Sequence, residues 1–64
     1  MKNKQALYLV ARYSSDDKEP VIVAGTETYE RADELCGEYT QTVRDKGFTE
    51  EEIYFKVDMT FFYT

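Results

Sequence analysis

At 64 residues and net charge −5, with 13 acidic against 8 basic side chains, the chain reads as one small acidic domain spanning 1–64. It lacks the clustered Lys and Arg that binding a nucleic-acid backbone requires, so nucleic acid is not an expected partner. With no histidine and one cysteine, it is excluded from Ser-His and Cys-His catalysis, an internal disulfide and a Cys/His zinc site; no enzyme activity, metal or cofactor is expected.

Residues Gln5 to Tyr13 read as the first strand. Leu7, Leu9, Ala11 and Tyr13 share one face by the two-residue period, and Ala6, Tyr8, Val10 and Arg12 share the other. Apolar groups on both faces suit a central strand. The stretch from Ala6 to Ala11 is too short for a signal segment. No run approaches the roughly 20 apolar residues that span a bilayer. A cytoplasmic chain with a reduced thiol is expected.

Ser14 to Glu19 is polar and turn-rich and closes a hairpin. Asp16, Asp17 and Glu19 lack the ordered spacing of a calcium loop. The second strand runs from Pro20 to Gly25, with Val21, Ile22 and Val23 as its β-branched run. Pro20 has no ladder donor, which places this strand on an edge.

A helix is predicted over 29–46, about 27 Å long at 1.5 Å per residue. Thr28 is its N-cap, Glu30 sits in the first turn, and Ala32, Leu35, Cys36, Tyr39 and Val43 form one apolar stripe. Gly47 is the C′ glycine, followed by Phe48 folding back on the last turn. Cys36 on the apolar stripe behaves as a small hydrophobe rather than a nucleophile. Thr49 to Glu52 is a short acidic connection with the pattern of one capped turn. The last strand, Ile53 to Tyr63, is the clearest in the chain.

The predicted fold is therefore α+β, in the order ββαβ. A right-handed crossover brings the third strand in beside the first, giving a three-stranded antiparallel sheet of order 2-1-3 with one helix on one face. The helix is expected to pack on Leu7, Leu9, Val21, Val23, Phe55, Val57 and Met59. The bare face is then expected to show Tyr8, Val10, Ile22, Tyr54 and Phe62, with Arg12, Lys56 and Asp58 among them.

Three surfaces offer themselves to a partner. The bare sheet face carries the residue types that hold interfaces together, so Tyr8, Val10, Tyr54, Lys56 and Phe62 are candidate contacts. The free edge of the last strand is a template for another strand, unless Lys56 and Asp58 guard it. The outer side of the helix carries Glu30, Glu34 and Glu38, whose like charges at i,i+4 oppose helix formation by a few tenths of a kcal/mol. Those three carboxylates are either a solvated face, partly neutralised by Arg31 and Arg44, or a contact for a basic target in imitation of nucleic-acid phosphates.

In size, acidity and element order, the chain resembles small accessory proteins encoded by phages and mobile elements. The features concerned are the strand Leu7-Tyr8-Leu9-Val10, the helix from Thr28 to Leu35, and the aromatic last strand. That resemblance implies stoichiometric inhibition of another protein. The expectation is a non-enzymatic protein-binding module, homodimeric because a domain this small needs added burial. The alternatives are an acidic nucleic-acid mimic blocking a basic groove and a structural accessory subunit.

Overall fold

A computed structural model describes residues 3–63; the basic start at Met1 and Lys2 lies outside them. Strand β1 covers Lys4–Ser14, β2 covers Val21–Thr26, helix α1 covers Tyr29–Asp45 and β3 covers Ile53–Tyr63. The sheet order is β2-β1-β3, with both pairings antiparallel. The fold is the expected α+β arrangement, with the two-faced strand in the centre.

The helix starts and stops on local chemistry. The Thr28 hydroxyl oxygen accepts the Arg31 N–H at 3.2 Å, filling one of the four orphan donors of the first turn. At the other end Gly47 takes φ +93. Its N–H donates to Arg44 O at 3.0 Å, and Phe48 N–H donates to Val43 O at 3.1 Å, the paired bonds of a Schellman ending. Gly37, by contrast, is exposed, and a Cβ added there meets nothing within 4 Å. Gly37→Ala is therefore expected to stabilise the domain by about 1 kcal/mol, the intrinsic penalty of a mid-helix glycine. The check is a urea titration, in which the midpoint should rise.

The helix lies over the even residues of β1 and the odd residues of β3. Tyr39 stacks on Phe55 with ring centroids 5.5 Å apart, and Tyr29 meets Tyr8 edge-on at 5.9 Å. Val10 and Ala32 are both fully buried. The Arg44 guanidinium donates to Ile53 O at 2.9 Å, tying the end of the helix to the start of β3.

This corrects the expected face of β1. Val10 pairs with Val57 and Tyr8 with Met59, and directly opposed residues of an antiparallel pair share a face. Phe55 and Val57 lie under the helix, so Tyr8, Val10 and Arg12 join them there. Leu7, Leu9, Ala11 and Tyr13 turn to the bare side. On β2 a bulge opposite Val10/Ala11 shifts the phase. Ala24 and Thr26 sit across from Val10 and Tyr8, while Ile22 sits across from Ala11 on the bare side.

β1 and β3 outrun the rest of the fold. β2 pairs with β1 only from Tyr8 to Arg12, so beyond the Tyr8–Met59 rung the sheet is a two-stranded ribbon. Eleven strand residues span about 36 Å, whereas the 17-residue helix spans about 26 Å. The helix begins beside Tyr8, leaving the ribbon uncovered from Ala6–Phe61 outward.

Candidate protein-contact surface

The bare sheet face is built from three rows. β1 contributes Leu7, Leu9, Ala11 and Tyr13, β3 contributes Tyr54, Lys56, Asp58, Thr60 and Phe62, and β2 contributes Ile22 and Gly25. Tyr13 and Tyr54 are opposed and stack with centroids 4.8 Å apart and planes within 3°. The Lys56 ammonium lies 6.0 Å from the Tyr13 ring. Leu9 and Leu7 lean across Gly25, where a Cβ would stand 3.5 Å from Leu9 Cδ2 and 3.9 Å from Leu7 Cδ1. Ala11, with no helix over it, is nevertheless 1% exposed, walled in by these neighbours. Ile22 is the most exposed large apolar side chain of this face, at 54%.

A second apolar surface occupies the overhanging ribbon. Met59, Phe61 and Tyr63 point to the helix side of β3 but run past the helix start, and are 49%, 46% and 65% exposed. Tyr29 of the first helical turn is exposed beside them, against Tyr8. The Lys4 ammonium lies 4.1 Å from the Phe61 ring centroid, a cation–π contact at the tip.

The expected contact residues divide accordingly. Tyr54, Lys56 and Phe62 stand on the bare face as the alternation of β3 indicated. Tyr8 lies on the helix side, half-buried against Tyr29, and Val10 is out of reach of any partner. Glu30, Glu34 and Glu38 are all exposed on the helix, and Glu34 is ion-paired with Arg31. Leu7, Leu9, Ala11, Tyr13 and Ile22 on one surface, and Tyr29, Met59, Phe61 and Tyr63 on the other, complete the picture.

The polar chemistry is local. Arg12 reaches Asp17 at 3.1 Å and pins the β1–β2 loop. The carboxylate of Glu52 accepts the Thr49 N–H and hydroxyl, each at 3.0 Å, closing the capped turn before β3. Those two bonds hold its pKa below the usual carboxylate range, the backbone donor contributing most. Partial burial, with the charge of Asp33, pushes the Cys36 thiol up, so the thiolate is scarce at neutral pH. Among the described residues no three Asp, Glu or Cys side chains converge as a metal site, and no helix is long and apolar enough to cross a membrane. Compared with known proteins, the chain matches no family model, no curated protein and no solved structure.

Proposed function

We propose that this chain is a non-enzymatic protein-binding module, a stoichiometric inhibitor or modulator of another protein that works as a homodimer in the cytoplasm. The observation carrying this reading is that six of the eight large exposed apolar side chains lie on two surfaces, Ile22 and Tyr54 on the bare sheet face and Tyr29, Met59, Phe61 and Tyr63 at the overhanging ribbon, while Val21 and Phe48 stand apart. Contiguous apolar surface of this kind marks protein contacts. The aromatic types present, together with methionine, are those enriched at interface cores. Resemblance to phage and mobile-element accessory proteins supports inhibition as the outcome of binding.

The ribbon suits the target. It carries Met59, Phe61 and Tyr63 on a two-stranded support, next to the acidic first turn of the helix at Glu30. An apolar patch with a negative border fits a partner surface bearing an apolar pocket and a basic rim. A target engaged mainly through Glu30, Glu34 and Glu38 is the second reading, that of an acidic mimic occupying a basic groove.

One experiment separates these. Tagged wild type and Met59→Ser/Phe61→Ser are used to capture partners from lysate of the native host, washed at low and high salt. The binding-module reading expects one dominant partner that survives high salt and is lost with the double variant, whose far-ultraviolet circular dichroism stays unchanged. A partner retained by the double variant and released by salt supports the mimic. No partner for either protein at low salt contradicts both.

A further inference from the structure

The monomer is a slab short of one layer. Its Cα atoms extend 48 × 24 × 12 Å with a radius of gyration of 13.4 Å, against about 11 Å for a compact chain of this length. It exposes 4932 Å2, whereas a compact monomer of its mass exposes about 4,200 Å2. The excess of about 700 Å2, shared between the overhanging ribbon and the bare sheet face, is of the order of the roughly 800 Å2 that each partner contributes to a stable interface. Among the described residues only Val10, Ala11 and Ala32 are buried apolar side chains.

We infer that a second copy of this chain covers the bare sheet face. The two copies are related by a two-fold axis that lies between the sheets, runs perpendicular to the strands and crosses the Val10–Val57 rung. This deepens the self-association in the reading above and leaves the ribbon free for the target.

The register carries the inference. On one side of the Val10–Val57 rung stands the pair Ala11–Lys56, and on the other stands Leu9–Asp58. A two-fold rotation about this axis exchanges the two rungs while keeping each strand over its own counterpart. Lys56 then faces Asp58 of the second copy, twice over, and Leu9 faces Ala11. On β2, Ile22 is opposed to Ala11 and Gly25 to Leu9, so Ile22 of one copy faces Gly25 of the other. Two rungs out, Tyr13 and Tyr54 face Leu7 and Thr60. Charge meets opposite charge and bulk meets gap, as an isologous interface requires.

Two further observations agree. The ion pairs within the chain are Arg12–Asp17 and Arg31–Glu34, so among the described residues Lys56 and Asp58 belong to none. A two-fold axis parallel to the strands instead lays β3 over β2, placing Lys56 and Asp58 against Ile22 and Gly25. That buries both charges unpaired, which is strongly unfavourable.

Sedimentation velocity of the full chain tests this by charge exchange. Wild type is expected to sediment at twice 7.5 kDa. Lys56→Glu alone and Asp58→Lys alone each juxtapose like charges at both cross pairs, so self-association should weaken at least about tenfold. An equimolar mixture of the two variants restores opposite charges at both pairs and should return to the dimer. The double variant Lys56→Glu/Asp58→Lys on one chain should do the same by itself, which keeps the test valid if either single variant folds poorly. Wild type at 7.5 kDa throughout overturns the dimer while leaving target capture by the ribbon standing. Single variants that dimerise like wild type place the contact elsewhere, the β3 edge included, and a mixture and double variant that both stay monomeric overturn the register.

Discussion

Replacing Ala32 by leucine is expected to destabilise the domain by about 1–3 kcal/mol. Ala32 is fully buried on the stripe that faces the sheet, and Val10 on the facing layer is also fully buried. Three added carbon atoms have no void to enter, so they must lift the helix or force side chains out of their rotamers. For a chain of this length total stability is on the order of 3–10 kcal/mol, so this one substitution removes a large part of it. Urea denaturation followed by circular dichroism at 222 nm should show a markedly lower midpoint. A midpoint equal to wild type would mean that the helix is not seated as closely on the sheet as the burial of Ala32 requires.

Ile22→Asp should act on the other side of the sheet and in a different way. Ile22 is 54% exposed in the single chain, so its loss should cost the monomer only about 1 kcal/mol, the difference in strand preference between isoleucine and aspartate. In the dimer the new carboxylate would be pressed against Gly25 of the second copy with no cation opposite. An unpaired, desolvated charge costs several kcal/mol, enough to weaken self-association at least about 100-fold. Sedimentation equilibrium gives the dimer constant, and a melt at a concentration where both proteins are monomeric gives the fold. A normal dimer constant for this variant would remove β2 from the interface.

The contrast between these two substitutions depends on which face each residue occupies, and that was legible only in part. β3 and the helix were plain in the sequence because each carries one unambiguous period: Phe55, Val57 and Met59 against Tyr54, Lys56 and Asp58 in the strand, and Ala32 through Val43 in the helix. The caps at Thr28 and Gly47 fixed the helix ends by their own chemistry. β1 was different, because both of its alternations are apolar. Leucines suggested the core side, yet a one-residue change of phase moves every side chain of a strand to the opposite face. The choice is made by long-range pairing with β3, which local composition does not contain. β2 adds a bulge whose position depends on the same pairing.

The overhanging ribbon was within reach of sequence reasoning. The apolar alternation of β3 runs for 11 residues, and its rise exceeds the length of the helix by about 10 Å. About three residues at one end of β3 therefore had to emerge past the helix, and the structure shows them to be Phe61 to Tyr63. Tyr29, at the helix start, could be placed beside them only once Tyr8 was known to face the helix.

Paramagnetic solvent relaxation of methyl resonances, on the full chain at a concentration favouring the dimer, tests most directly whether protein covers the bare sheet face. Ile22 and Met59 are similarly exposed in the single chain, at 54% and 49%, so each serves as the other's control. A face occupied by a second copy predicts that the Ile22 methyls are shielded from the probe while the Met59 methyl on the ribbon stays strongly relaxed. Equal relaxation at both positions would show the sheet face open to solvent and would contradict the assignment of that face as the dimer contact.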